Sequence, residues 1–211
     1  MPRRGDRDRD QSGDGSDEGR WIVACRDGDH DACARIVRAY QDVALRTAFL
    51  MTSDASAAED IAQNAFLNAL RALRRFDPDR PFRPWFLTIL ANEARMYLRS
   101  QRRLVADDDA LEPGTPDEDS PVAQLLRSDE RARVRRALMQ MEEPFRTAVI
   151  LHYFNDLSVD EIASETYTPA GTVKSRLFRG RQQLRVLLDE DDEPSVAVRI
   201  PVTSTSQSPE G

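Results

Sequence analysis

The sequence predicts an all-α protein with two small helical domains that are joined by a flexible acidic linker. Apolar residues recur at helical spacing through most of residues 20–103 and 122–188, and no stretch keeps the alternation of a β-strand. Between these blocks, residues 106–121 hold seven acids, three prolines and no base. Such a segment has little to bury and repels itself, so it is typical of an extended linker.

The domain organisation follows from the same pattern. Residues 1–19 are charged and glycine-rich, so we expect a disordered N-terminal tail, and residues 189–211 are expected to be a disordered C-terminal tail. The first helical domain then spans residues 20–104, the acidic linker 105–121 and the second helical domain 122–188.

Each domain is predicted to contain four helices, with breaks at glycine, aspartate, serine and proline. In the first domain we expect helices at residues 17–26, 31–52, 56–73 and 84–102, with a loop at 74–83 that is held by two prolines. In the second domain we expect helices at residues 122–141, 143–154, 159–165 and 169–188.

The last two of these helices, within residues 157–184, have the form of a helix-turn-helix. Ser158 and Glu161 are spaced as a capping box, and Leu157 and Ile162 occupy the two positions of a hydrophobic staple. Thr168 and Pro169 mark the start of the second helix, as an N-cap and a first-turn proline. A helix-turn-helix lays its second helix in the DNA major groove.

The second helix of this unit divides into two faces at 100° per residue. The face that should pack inward carries Val173, Leu177, Gly180 and Leu184. The face that should point outward carries Gly171, Ser175, Phe178, Arg179 and Gln182, with Lys174 on its flank. An outward phenylalanine suits contact with a thymine methyl group, whereas a packed helix pair with a solvated basic face is the plainer alternative.

The net charge of −7 is unevenly distributed. Residues 71–103 hold nine arginines against three acids, and residues 168–185 hold five basic residues and no acid. Since charges are screened over about 8 Å, the charge of each segment matters more than the total. Two basic segments therefore remain compatible with nucleic acid despite an acidic chain.

Residues 84–103 carry the other informative pattern. Trp85 and Phe86 lie on an apolar side and are expected to be at least half buried, while Arg95, Arg99 and Arg102 fall on the opposite side. Arginines beside aromatic side chains suit single-stranded nucleic acid, where bases stack and phosphates pair. The pattern is equally that of an ordinary helix with an aromatic core face.

Other classes of protein are disfavoured. No run approaches a membrane span and the N-terminus is polar, so we expect no signal peptide, no membrane insertion and a cytoplasmic protein. Cys25 and Cys33 with His30 between them are too few for a zinc site, and we expect two buried thiols, no metal and no cofactor. His30 and His152 are far apart and no catalytic motif occurs, so we expect no enzyme.

Three segments together resemble one family. They are AEDIAQNAFLNALRAL at 58–73, FRPWFLTILANEARMYLRSQRR at 82–103, and EEPFRTAVILHYFNDLSVDEIASETYTPAGTVKSRLFRGRQQLR at 142–185. In this order, with the acidic linker before the third, they resemble bacterial sigma factors of the sigma-70 family, extracytoplasmic-function (ECF) subgroup. The resemblance covers residues 21–188 and implies the two domains called sigma region 2 and sigma region 4.

The resemblance assigns roles to the first domain, region 2. Its clamp-binding helix would contact the β′ clamp of core RNA polymerase through Asp60, Gln63, Asn64 and Phe66. The −10 promoter element would be melted and read by Asn92, Arg95, Met96, Arg99, Arg102 and Arg103. Flipped-out bases would meet a loop or helix break around residues 92–96, and Arg99, Arg102 and Arg103 would hold phosphates.

For region 4, the resemblance implies recognition of the −35 element as duplex, by a helix-turn-helix at residues 158–181. Its contacts would be Thr172, Lys174, Ser175, Arg176, Phe178 and Arg179, with Thr172 and Arg176 on phosphates. The implied partners are core RNA polymerase (β′ clamp and β flap), promoter DNA and an anti-sigma factor. The linker would lie near the RNA exit path.

Three residues depart from the family pattern. Asn64 stands where an acid is usual, Thr166 where an apolar residue is usual, and Tyr167 where a turn glycine is common. A positive φ at Tyr167 would cost about 1–2 kcal/mol, so we expect the turn to be adjusted but not lost.

Two functions remain open at this point. The first is a sigma factor that binds core RNA polymerase and directs promoter-specific initiation at the −10 and −35 elements. The second is a stand-alone helix-turn-helix regulator that binds duplex DNA without polymerase. Only the first needs the clamp-like helix and residues 82–103.

Overall fold

The computed structural model describes residues 14–107 and 129–192, and these residues are all-α, as predicted. Within them the helices are α1 (Asp14–Arg26), α2 (His30–Thr52), α3 (Ala55–Ala72), α4 (Phe82–Asp107), α5 (Asp129–Gln140), α6 (Glu143–Val149), α7 (Val159–Glu165) and α8 (Ala170–Asp192). A 3-10 turn (Leu73–Arg75) follows α3, and a π-helical turn (Ile150–Phe154) extends α6.

The first unit is built on α2, α3 and α4, which pack against one another in pairs. The corner between α2 and α3 is short because both helix ends are capped locally. Ser53 takes a left-handed conformation with φ 59°, and its N–H donates to the Phe49 carbonyl at 2.7 Å. The Asp54 side chain then accepts from the Ala57 N–H at 3.0 Å and begins α3.

Helix α4 starts at Phe82, two residues before the predicted start, with Pro84 in its first turn, where proline is tolerated. The predicted loop or helix break around residues 92–96 is wrong. The sequence NEARM there holds no glycine or proline, so the helix continues unbroken to Asp107. The prediction for the two aromatics is confirmed, since Phe86 is fully buried and Trp85 is half-buried.

Helix α1 begins at Asp14, inside the segment that was expected to be disordered, and packs on α2. The expectation of two buried thiols is wrong, because Cys25 and Cys33 form a disulfide. The Asp27-Gly28-Asp29 turn folds α1 back onto α2 and leaves the two Cα atoms 4.8 Å apart. This distance lies within the range that a disulfide spans.

The second unit packs α6 and α5 against α8, with α7 completing the helix-turn-helix. The capping box is confirmed, since the Glu161 N–H donates to the Ser158 hydroxyl at 3.1 Å and the Ser158 N–H donates to the Glu161 carboxylate at 2.8 Å. Both staple residues, Leu157 and Ile162, are buried in one cluster. The prediction that Thr168 is the N-cap of α8 is wrong, because its hydroxyl donates to the Thr166 carbonyl instead.

The turn between α7 and α8 keeps its usual backbone. Tyr167 has φ 50°, the Thr168 N–H donates to the Ala163 carbonyl at 3.0 Å, and the Tyr167 N–H donates to the Ser164 carbonyl at 3.4 Å. These are the two bonds of a Schellman motif. The expected adjustment of the turn is therefore wrong. Tyr167 adopts the left-handed conformation and is 93% exposed as a residue.

We therefore predict that Tyr167→Gly stabilises the protein by roughly 0.5–1 kcal/mol, because glycine removes the left-handed cost and gives back part of it as unfolded-state entropy. Urea unfolding of the full chain measures this. Tyr167→Ala is the matched control, since it removes the ring and retains the unfavourable φ, and it should bring no gain. A gain of equal size in both variants would contradict the explanation.

The two units are in direct contact, and their buried side chains form one continuous cluster. Asn155, in the loop before α7, lies at the centre of the junction and is 1% exposed. Its side-chain oxygen accepts from the Thr47 hydroxyl at 2.9 Å, and its carbonyl accepts from Arg83 Nη1 at 2.6 Å. Arg80 pairs with Glu165 beside it. The junction therefore joins α2 and the start of α4 to the helix-turn-helix.

The remaining sequence expectations fall at the ends of the described ranges. Helix α8 runs to Asp192, four residues into the expected C-terminal tail. Helix α5 begins at Asp129, so the first part of the helix predicted at 122–141 lies outside the described residues. Most of the acidic linker and both outer tails also lie outside them.

Candidate DNA and polymerase interfaces

The outer face of α8 is the candidate duplex-binding surface. The division of α8 into two faces is confirmed: Val173 and Leu177 are buried, and Gly180 lies against α6. The opposite face is exposed, including Phe178 at 54%. Thr172, Lys174, Ser175 and Arg179 are also exposed, while Arg176 is half-buried at the edge of the face. An exposed phenylalanine among cations can contact a base methyl while its neighbours hold phosphates.

The candidate −10 surface is a stripe along α4. Asn92, Met96, Arg99 and Arg103 follow one another at intervals of four, three and four residues, and all are exposed. Met96 is 55% exposed, which leaves an apolar contact between polar ends. Arg102 is exposed next to this stripe. The unbroken helix therefore presents a ridge of side chains where the sequence suggested a loop.

Arg95 is the exception among the residues predicted for the −10 element. Its Nε lies 2.7 Å from Glu143 Oε1, at the start of α6 in the other unit. Its Nη1 donates to Asn92 Oδ1 at 3.2 Å, so two candidate residues are held together. In this arrangement Arg95 is engaged by a carboxylate of the second unit.

Other charged groups act on the region around the Arg95–Glu143 ion pair. Burial lowers the pKa of the Arg146 guanidinium, and the positive charge of Arg102 lowers it further, whereas Glu143 opposes the shift. Arg146 is 2% exposed and donates from Nη1 to the Met139 carbonyl at 3.4 Å. The junction thus gathers arginines of both units around one carboxylate, Glu143. Removing that carboxylate would leave their repulsion uncompensated.

A cleft of about 200 Å³ opens at the same place. Arg95 lines it from α4, and Arg176, which was predicted to contact a phosphate, lines it from α8. Thr166 and Thr168 of the helix-turn-helix turn complete the rim. Candidate residues for the two DNA contacts therefore face a common space between the units.

The candidate clamp-binding surface lies on α3. Asp60, Gln63 and Asn64 are exposed on one face, as predicted. Phe66 is different, because it is half-buried and its ring stacks on Phe86 with 4.7 Å between centroids. Leu67 is also on this face and is 44% exposed. Leu67 follows Asn64 by three residues and Gln63 by four, and this helical spacing is the sequence signal that places it on their face.

Tyr97 is a residue of α4 whose phenol is affected by the charge of Asp60 on this surface. Burial raises the pKa of the Tyr97 phenol, and the negative charges of Asp54 and Asp60 raise it further, while a hydrogen bond with Gln101 acts in the opposite direction. The phenol therefore stays protonated at neutral pH and can donate a hydrogen bond. It lies between the candidate clamp surface and the candidate −10 surface.

Within residues 14–107 and 129–192 no group of three or more His, Cys, Asp or Glu side chains could hold a metal ion. None of the helices in these ranges is long and apolar enough to cross a membrane.

Family comparisons match both helical units. Residues 36–104 match the family described as Sigma-70 region 2, and residues 131–184 match the one described as Sigma-70, region 4. The chain is 34% identical over 166 residues to the RNA polymerase sigma-H factor of Pseudomonas aeruginosa, covering 74% of this chain and 86% of that protein. It is 30% identical over 177 residues to the ECF RNA polymerase sigma factor SigW of Bacillus subtilis, covering 78% and 92%.

Two solved structures are similar in fold. CnrH, in complex with the cytosolic domain of CnrY, aligns with a TM-score of 0.61 at 26% identity and covers 82% of this chain and 98% of that one. The sigma factor RpoE of Bartonella quintana, in complex with the anti-sigma factor NepR, aligns with a TM-score of 0.59 at 26% identity and covers 75% and 97%.

Proposed function

The chain belongs to the sigma-70 family of RNA polymerase sigma factors, of the extracytoplasmic-function type, and on that premise we propose how its surfaces divide the work of promoter recognition. The first unit, as region 2, binds core polymerase through α3 and the −10 element through α4. The second unit, as region 4, binds the −35 duplex through α8. The observation that carries this division is the pair of exposed basic surfaces on separate helical units.

In region 4, the recognition helix enters the major groove with its N-terminal half. Lys174, Phe178 and Arg179 are exposed and read base edges. Thr172 and Arg176 hold phosphates. Ser175 lies between these two groups of residues and contacts either a base or a phosphate. The absence of any acid between residues 168 and 185 keeps this surface attractive to DNA in an acidic protein.

In region 2, the α4 stripe meets the melted strand. Extruding a base costs a few kcal/mol, which contacts to the flipped base and to phosphates must offset. Met96 and Asn92 are placed to meet bases, and Arg99, Arg102 and Arg103 to meet phosphates. Arg95 joins them only after it leaves Glu143.

The clamp contact of core polymerase is assigned to Asp60, Gln63, Asn64 and the exposed Leu67 of α3. Phe66 supports this surface from beneath through its stack on Phe86. Region 4 would rest on the polymerase β flap. The proposed boundaries are those predicted from the sequence, with region 2 in residues 20–104 and region 4 in 122–188. The linker between them would pass near the RNA exit path.

The two units must separate for this function. The −10 and −35 elements are roughly 25 base pairs apart, and at about 3.4 Å per base pair they are about 85 Å apart along the duplex. Here the −10 helix α4 is held to α6 of the second unit by Arg95 and Glu143, whose Nε and Oε1 atoms lie 2.7 Å apart. The arrangement therefore corresponds to a closed form of the free chain, which polymerase opens by binding both units.

An anti-sigma factor is a further partner that we propose. The solved structure of RpoE from Bartonella quintana is a complex with an anti-sigma factor.

A protein that acts on the chromosome through core polymerase works in the cytoplasm. Its contribution is promoter recognition, and catalysis is left to the polymerase.

Transcription with purified components tests the proposal. The chain is mixed with core RNA polymerase and a promoter library, and run-off products are sequenced. We expect initiation from a restricted set of promoters that share −10 and −35 sequences. Duplex binding without polymerase, together with no run-off from any template, would favour the alternative of a stand-alone regulator.

We also predict that Glu143→Gln loosens the closed form. The ion pair with Arg95 is partly exposed, so its loss is worth about 1 kcal/mol and the open fraction should rise about fivefold. Binding of the free chain to a single-stranded −10 oligonucleotide measures this. Glu142→Gln is the matched control, because it removes the same charge from an exposed neighbour. Equal effects of the two variants would sink the assignment.

A further inference from the structure

The disulfide between Cys25 and Cys33 is not accounted for by promoter recognition. It joins the last turn of α1 to the first turns of α2, and these are the only two cysteines in the chain. If the protein works beside the chromosome, as proposed above, its compartment is reducing. Disulfides there are rare and are usually transient, catalytic or redox-sensing.

Helix α1 depends on this bond because it has little else to hold it. Among its described side chains only Ile22 and Cys25 are buried, and among the partly buried ones Trp21 and Ala24 pack against the core. A helix of 13 residues is marginal by itself in water. The position of α1 on α2 therefore rests on a small apolar contact, one hydrogen bond between Tyr40 and Glu18, and the covalent link.

Helix α1 is connected to the functional helices through one aromatic cluster. The Tyr40 hydroxyl donates to the Glu18 carboxylate of α1. The Tyr40 ring packs edge-on against Phe82 and Phe86, the first turns of α4, with centroids 5.1 and 5.6 Å away. Phe86 in turn stacks on Phe66 of α3. Loosening α1 would remove a support shared by the −10 helix and the clamp helix.

We propose that Cys25 and Cys33 form a reversible thiol–disulfide switch that determines how firmly α1 is held on region 2. The oxidised form holds α1 and is the form more active in transcription. The reduced form keeps α2, α3 and α4 folded together but lets α1 detach. The functional half of this proposal rests on the proposed sigma-factor function.

The exchange reaction follows from the exposure of the two sulfurs. Cys33 is partly exposed and Cys25 is buried, so the thiolate of a dithiol reductant attacks Sγ of Cys33. The Cys25–Cys33 bond breaks and Cys25 leaves as a thiolate, which takes a proton from water. The second thiol of the reductant then displaces Cys33 and forms the reductant's own disulfide. Two electrons and two protons pass to the protein, and a small-molecule disulfide such as oxidised glutathione reverses the reaction.

The size of the effect follows from loop closure. Cutting a link across eight residues should shift the equilibrium toward detached α1 by on the order of 60-fold. Amide hydrogen exchange of the full chain, with and without dithiothreitol, measures that shift directly. We expect amides of α1 to exchange on the order of 60-fold faster after reduction, and amides of α8, in the second unit, to be unchanged.

Cys33→Ser is the control variant, because it replaces the partly exposed cysteine and leaves the buried one in place. It should behave like the reduced protein and should not respond to dithiothreitol. Equal exchange of α1 in the oxidised and reduced protein would overturn the proposal. So would failure of glutathione mixtures to re-form the bond, as measured by thiol alkylation and mass.

The functional half is tested by promoter-specific transcription with core polymerase at fixed oxidised-to-reduced glutathione ratios. We expect several-fold less product from the reduced protein than from the oxidised one, and no response of Cys33→Ser. Equal products from both forms would overturn this half. Because hydrogen exchange needs neither polymerase nor promoter, a chain that fails to direct transcription at all would refute the sigma-factor function and leave the switch standing on its own data.

Discussion

Replacing Gly180 by valine should destabilise the helix-turn-helix unit by about 3 kcal/mol and remove most of its duplex binding. A Cβ atom at this position would lie 2.6 Å from Val149 Cγ2 and 3.3 Å from the Phe145 carbonyl oxygen. Val149 is fully buried and β-branched, so its side chain cannot move aside cheaply. Overpacking of this kind costs about 1–3 kcal/mol or more, since a close-packed core does not yield.

Thermal or urea unfolding, followed by helical circular dichroism, measures the loss. Gly171→Ala is the matched control on the same helix, because a Cβ at Gly171 meets no atom within 4 Å. That substitution should stabilise by roughly 0.5–1 kcal/mol, as alanine does in an exposed helix. If Gly180→Val were as stable as the parent protein, the close approach of α8 to α6 would be wrong.

Arg179→Ala should weaken binding to the cognate −35 duplex by roughly 5- to 150-fold, which corresponds to about 1–3 kcal/mol for a lost base contact. Arg179 is exposed on the face of α8 that carries Phe178 and Ser175. Since a base contact carries sequence information, the loss should be larger for the cognate duplex than for a scrambled one. Titration of both duplexes with the purified chain, in its polymerase complex, measures the difference.

Arg181→Ala is the matched control for charge. Arg181 is exposed, lies half a turn away, and was not assigned to a base. Its loss should reduce binding to both duplexes by a similar, smaller factor and should reduce the salt dependence. Unchanged transcription from the cognate promoter with Arg179→Ala would remove Arg179 from the set of reading residues.

Much of the candidate site could be predicted because it depends on local chemistry. The faces of α8 follow from the helical period, and the start of α7 follows from Ser158 and Glu161, which are three residues apart. Predictions from the sequence were wrong where two local preferences of the backbone competed. At Tyr167 the requirements of the turn outweighed the cost of a left-handed side chain, and at residues 92–96 helix propensity prevailed over an expected break.

The sequence by itself determined which segments are helices, which face of each is apolar and where cations gather, because these properties are set by neighbours within four residues. Tertiary structure alone decided that Cys25 joins Cys33, that Arg95 meets Glu143 and that Asn155 connects Thr47 to the second unit. The last two contacts join residues far apart in the chain, and the first depends on how α1 folds back. Such pairings are decided by how helices pack, which no single segment encodes. For that reason the sequence predicts the two candidate DNA-binding surfaces, and the structure adds the contacts between the two units.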